Sequence, residues 1–170
     1  MLFALATLTL VAACSGTASH NKADVEFAQQ MIPHHQQAVQ MSRMAEKAAG
    51  PDVKALAKEI EDAQGPEITQ MKGWLRDWDE PISADMHGMN GMNHDVPGMM
   101  TDREMQALRS TQGTAYDRRW LRMMIAHHRG AIDMAKTEIA HGEYPQAISL
   151  ARTIAKAQAE EIKEMQEMAK

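Results

Sequence analysis

The 170-residue sequence is poor in the groups that most often announce a function. It has a single cysteine, Cys14, which excludes an intrachain disulfide and a cysteine-built metal site. No apolar run reaches the roughly 20 residues needed to span a bilayer. Positive charge is not in excess: 18 Lys and Arg against 23 Asp and Glu leave a net charge of −5, the wrong sign for a nucleic-acid footprint. There is no glycine-rich phosphate loop, no serine-centred elbow and no alternating strand pattern. Aromatics are scarce, at 2 Phe, 2 Tyr and 3 Trp, so a core must be made of aliphatic and thioether side chains. The chain is long enough for one domain with a full core and no staples. What it has in abundance is 16 Met and 8 His, and the question is whether these pack or ligate.

Residues 2–13, LFALATLTLVAA, are apolar or small, and the first charge is Lys22. The run fits the core of a secretory signal, although the usual basic residues before it are missing, so the natural start is expected to lie upstream. It ends Val11-Ala12-Ala13-Cys14-Ser15, small residues before the lone cysteine, as in a lipoprotein processing box. The expectation is a signal peptide over 1–13, lipidation at Cys14, a tether over 14–22, and a periplasmic or cell-surface protein anchored to the membrane.

The remainder, 23–170, contains a repeat. DVEFAQQMIPHHQQAVQMSRMA, residues 24–45, aligns with DRRWLRMMIAHHRGAIDMAKTE, residues 117–138. Asp24 meets Asp117, Met31-Ile32 meets Met124-Ile125, His34-His35 meets His127-His128, and Met41 meets Met134. After a one-residue slip, Gln64, Glu67, Ile68 and Met71 meet Gln158, Glu161, Ile162 and Met165. One unit is therefore used twice, over 24–79 and 114–169.

Each unit reads as a helical hairpin. Phe27, Met31, His34, His35, Ala38 and Met41 share one helical face, which Asp24 can cap. Gly50-Pro51 stops one helix and starts the next. Pro33 and Gly65-Pro66 are expected to kink their helices. The second unit has a plausible cap in Thr114–Asp117, turns at His141-Gly142 and restarts near Pro145. Thr101 and Glu104 form a capping box for a short helix over 102–111. The predicted fold is all-α, a ferritin-like four-helix bundle of two hairpins.

Helical pitch then predicts a polar layer in each hairpin. His34 and His35 lie about as far before the Gly50 turn as Gln64 and Glu67 lie after it, and equal rise levels them. The same holds for His127 and His128 with Gln158 and Glu161, and Met31 falls near Ile68 and Met71 as Met124 falls near Ile162 and Met165. Imidazole with thioether favours a soft ion, Cu(I) or Ag(I). Glu67, Gln64, Glu161 and Gln158 suit the role of orienting the histidines. Met44, Met71, Met165 and Met168 read as core packing.

Residues 83–100, SADMHGMNGMNHDVPGMM, lie in a predicted flexible loop, 80–101. Gly and Asn forbid a stable helix there, yet the segment holds Met86, His87, Met89, Met92 and His94, with Met99 and Met100. Packing offers no reason for five methionines in a polar loop, whereas M-x-x-M-x-x-M spacing lets thioethers converge on one ion.

The segments DVEFAQQMIPHHQQAVQM, RMMIAHHRGAIDMA and QGPEITQMKGWL, with the doubled M-I-x-H-H motif, resemble the domain-of-unknown-function 305 family over residues 20–169. The resemblance implies a secreted or lipid-anchored ferritin-like bundle and, since some members are linked to copper tolerance, a copper role. It places the family motif on Met31, His34, His35 and Met41, and on Met124, His127, His128 and Met134. The reading is a non-catalytic protein that sequesters copper, Cu(I) or else Ag(I), or hands it to an efflux or transfer partner, with no nucleic-acid partner and with dimerisation open. Two alternatives stand beside it. One is a di-iron oxidase, for which Glu138-Ile-Ala-His141 is the single Glu-x-x-His motif where two are needed. The other is a metal-free interaction module whose polar layer fixes helix register.

Overall fold

The computed structural model describes residues 19–82 and 96–170. The expected signal peptide, Cys14, and loop residues Met86, His87, Met89, Met92 and His94 lie outside the described residues. Five helices follow in order: α1 Lys22–Ala48, α2 Pro51–Asp77, α3 Asp102–Arg109, α4 Gly113–His141 and α5 Pro145–Met168. Among the described residues there is no strand, and no helix is long and apolar enough to cross a membrane.

The helix ends depart from the sequence reading in a consistent way. Asp24 does not cap α1; Asn21 does, its side chain accepting from the Ala23 and Asp24 amides. Asp24 closes the capping box by accepting from the Asn21 amide at 2.6 Å. The segment 19–22, expected as tether, already belongs to the bundle, with His20 stacked on Trp78 at 4.5 Å between ring centroids. In α4 the N-cap is Gln112, without a side-chain bond, so Thr114–Asp117 caps nothing locally. The Thr101–Glu104 box on α3 is present in full. Pro33 and Pro66 sit on water-facing sides of α1 and α2, which run unbroken through them, because a freed carbonyl there can bond to solvent.

The two acids instead reach across the molecule. α1 and α4 pack antiparallel, so the start of each lies beside the turn of the other hairpin. Asp24 accepts from the Glu143 and Tyr144 amides of the α4–α5 turn, at 3.2 and 2.9 Å. Asp117 accepts from the Gly50 amide of the α1–α2 turn at 2.9 Å, and a Cβ on Gly50 would meet that carboxylate at 2.9 Å. Asn21 Nδ2 donating to the His141 carbonyl at 2.8 Å and Trp120 Nε1 donating to the Met41 carbonyl at 3.1 Å complete the α1–α4 seam.

The core is two apolar clusters. One gathers Met41, Leu56, Ile60, Trp120, Met124 and Met165 with Met105 and Leu108 of α3; the other gathers Phe27, Met31, Met71, Trp74, Met134 and Ile154. Met31 thus shares a cluster with Met71 and packs near Ile68, and Met124 does so with Met165 and Ile162, as the pitch argument expects. Met44 and Met168 pack at the rim of the first cluster.

Glu138 has no counterpart in the first repeat, where Ala45 stands. It is buried, and neither carboxylate oxygen meets an N–H donor. Burial and the neighbouring Asp24 push its pKa up from 4.5 to about 8. Burial alone would raise the Asp24 pKa too, but hydrogen bonds from Asn21, the Glu138 carboxyl and the Tyr144 and Glu143 amides outweigh it and hold that group below its usual range. Glu138 therefore carries the proton that the two carboxyls share. Because the folded state binds this proton more tightly than the unfolded chain, stability falls as pH rises from 4.5 towards 8, by at most about 1.4 kcal/mol per pH unit. Glu138→Gln should flatten that slope and raise the urea midpoint at pH 8; a parallel pH dependence in the two proteins would contradict it.

Candidate metal centre

Between the two apolar clusters lies a polar layer built by all four long helices. His34 and His35 come from α1, His127 and His128 from α4, and all four are fully buried. The two hairpins do not keep separate layers: the His34 and His127 rings meet across the α1–α4 seam at 3.7 Å between centroids. On the flanks, His35 Nε2 donates to Glu67 Oε2 of α2 at 2.8 Å, and His128 Nε2 donates to Glu161 Oε2 of α5 at 2.7 Å. These two carboxylates keep one side towards solvent, with side chains 18 and 20 % exposed. Gln64 and Gln158 are buried too, but their Oε1 atoms have no partner and neither side chain bonds a histidine.

The third acceptor is backbone. His34 Nε2 lies 3.1 Å from the Pro97 carbonyl, which can only accept, so this nitrogen carries the proton. Each of these three histidines thus spends its Nε2–H on an oxygen acceptor, which leaves Nδ1 as its other ring nitrogen. Those three nitrogens are buried without a partner, and His127 has neither nitrogen paired. Orphaned buried polar atoms at this density are rare in native proteins and require an explanation. Protonation is not the explanation. Burial, with the charges of His35 and His128, pushes the His34 pKa down to about 3. Burial, with the charges of His34, His128 and His35, holds His127 well below its ordinary value. Both rings are neutral lone-pair donors at neutral pH.

Thioethers flank the layer. Met31 precedes His34 and His35 by three and four residues, as Met124 precedes His127 and His128, which places each on the histidine face one turn away. Met41 and Met134 lie about 10 Å along their helices from His34 and His127, in the cluster beyond. All four methionines are buried, Met31, Met41 and Met124 fully. Among the described residues no three His, Cys, Asp or Glu side chains are placed to hold one ion together. A closed tetrahedral site of the zinc type is therefore not preformed by these groups. Small sets of imidazole nitrogen with thioether suit a soft monovalent ion. The Glu-x-x-His pair lies apart from the layer: Glu138 faces Asp24 at the bundle end, and His141 is exposed.

The loop expectation needs correction at its C-terminal end. Residues 96–100 are seated on the bundle. Met100 is buried in the core cluster beside Met105 and Leu108, so one of the five loop methionines does pack. Sequence reasoning missed this segment, the Pro97 carbonyl and the Gln37 side chain that holds Met100. The available signal was a break in the repeat, since Gln37 aligns with Gly130.

Fold and site together define a bundle of two fused helical hairpins closed around a buried imidazole layer. The chain belongs to the DUF305 family, a domain of unknown function, whose profile matches residues 24–169. It is similar to a DUF305 protein of Streptomyces coelicolor described as secreted, at 35 % identity and a TM-score of 0.79, covering 86 % of this chain and 91 % of that one. It is also similar to CopM, solved in a Cu(I)-bound form (33 % identity, TM-score 0.71, covering 85 % of this chain and 94 % of that one). CopM has also been solved in Cu(II)-bound and Ag-bound forms. No curated protein matches this chain.

Proposed function

We propose that the protein binds copper or silver outside the cytoplasm, sequestering the ion or passing it to an efflux or transfer partner without catalytic turnover. The observation that carries this reading is the set of five buried, unpartnered imidazole nitrogens, on His34, His35, His127 and His128, beside the Met31 and Met124 thioethers. The neutral His34 and His127 imidazoles and the thioethers lose no proton on binding, so these groups take a soft monovalent ion without a pH cost near neutrality. Glu67, Glu161 and the Pro97 carbonyl orient the rings. The apolar clusters exclude water from the layer, which strengthens each ligand bond. The methionines and histidines of 86–94 are expected to add soft-metal affinity of their own. Membrane attachment through Cys14 would hold the protein at the surface where efflux partners work.

The test is an anaerobic Cu(I) titration against a competing chelator, comparing the parent with a deletion of residues 83–95 that spares the seated segment 96–100. The expected result is high-affinity Cu(I) retained by the deletion protein at reduced stoichiometry. A parent unable to compete for Cu(I) would refute the metal reading, and a deletion protein that binds none would refute the bundle as a site.

A further inference from the structure

The segment Val96–Met100 forms a strap across the α1–α4 seam at the level of the histidines. Its attachment is two-sided. On α1, Gln37 Nε2 donates to the Met100 carbonyl at 2.8 Å, and the Met100 amide donates to Gln37 Oε1 at 2.7 Å. On α4, the strap lies directly on backbone. Gly98 has φ +79°, and a Cβ there would meet the His127 and Ala126 carbonyls at 2.8 and 2.9 Å. Gly130 faces it, and a Cβ there would lie 2.0 Å from the Pro97 carbonyl oxygen. Two glycines, one in a conformation that favours glycine, thus allow the Pro97 carbonyl to reach His34 Nε2. The repeat mate of that nitrogen, His127 Nε2, is equally buried and has no acceptor.

We propose that the strap Val96–Met100 is a positioning element for the metal layer: the Pro97 carbonyl commits His34 to coordination through Nδ1, while His127 stays free to use either nitrogen. The proposal rests on the soft-metal reading of the layer. It assigns a role to residues that touch no ion, Gln37, Gly98 and Gly130, and makes the repeated histidine pairs chemically unequal. A metal-orienting hydrogen bond of this kind sets both the tautomer and the ring angle of its histidine, and losing it typically costs about 10- to 100-fold in metal affinity.

The experiment uses the full chain labelled with 15N-histidine, as the parent, Gly130→Ala and Gln37→Ala. Long-range 1H–15N correlation reads each histidine tautomer without metal, and Ag(I) is then titrated as a redox-inert probe. The parent should show His34 with its proton on Nε2 and should move the His34 Nδ1 resonance on adding Ag(I). Gly130→Ala, which displaces Pro97, should populate both His34 tautomers and bind Ag(I) about 10- to 100-fold more weakly. Gln37→Ala leaves α4 untouched and should shift both readouts in the same direction, which keeps the test decisive if Gly130→Ala does not fold. A parent with His34 protonated on Nδ1 would overturn the proposal, as would strap variants with unchanged tautomer and Ag(I) affinity while the parent binds normally. If Ag(I) moves no histidine resonance in the parent, the metal reading fails and the proposal falls with it.

Discussion

Replacing His34 and His127 together by leucine should abolish Ag(I) and Cu(I) binding at the bundle core and should also make the metal-free protein more stable. The two rings meet, tilted against each other, at the centre of the molecule, carry three unpartnered nitrogens between them and stay neutral near neutral pH. An unsatisfied buried polar group costs about 1–3 kcal/mol, and leucine removes these groups at similar volume. The lost bond to Pro97 offsets about 1 kcal/mol of the about 3–9 kcal/mol that three such nitrogens represent, leaving a net stabilisation of at least about 2 kcal/mol. Urea unfolding of the metal-free proteins reads the stability, and competition titration reads the affinity. A polar layer kept only to fix helix register would show no metal affinity to lose, so the competition titration separates the two roles. Stability sacrificed at one layer of an otherwise consistent fold is the mark of a functional site.

Asp24→Ala should be the most destabilising single substitution outside the hydrophobic core, at about 3–5 kcal/mol. The side chain is fully buried and accepts from three backbone amides: Asn21 of its own helix start, and Glu143 and Tyr144 of the other hairpin's turn. Truncation strands all three donors, in part-buried bonds whose loss costs about 1 kcal/mol or more each. It also leaves Glu138 without the carboxylate that accepts its proton. Asp117→Ala, which strands only the Gly50 amide, should cost about 1 kcal/mol. Equal losses at the two positions would mean that the end contacts are not worth what their geometry implies.

How far the fold could be read in advance follows from what is periodic. The helical face of Phe27, Met31, His34, His35 and Met41, the Gly50-Pro51 and Gly142–Pro145 turns and the doubled motif are all local in sequence, so five helices and two hairpins were legible. Equal rise along two paired helices was enough to bring His35 to Glu67 and His128 to Glu161. The sequence did not show which hairpin faces touch, because that depends on packing between repeats. The meeting of His34 with His127, and the reach of Asp24 and Asp117 into the turn of the opposite hairpin, are therefore properties of the assembled bundle. The strap was hidden for a different reason. Its key acceptor is a main-chain carbonyl, which no side-chain pattern announces. Only the mismatches of the repeat, Gln37 against Gly130 and Ala45 against Glu138, mark where the two halves do different work.

The exchange of end contacts between hairpins also bears on how such a chain can arise. A hairpin whose first helix holds the turn of a neighbour, and whose own turn is held in return, is the arrangement that two identical copies related by a two-fold axis would adopt. Duplication and fusion of a self-pairing ancestor would yield this bundle directly. In a pair of identical copies, however, the glycine that admits the strap would have to replace the glutamine that clasps it, since both occupy one position of the unit. A buried acid beside one Asp would likewise appear beside both. The one-sided strap and the shared proton at a single end could therefore evolve only after the two copies had become one polypeptide.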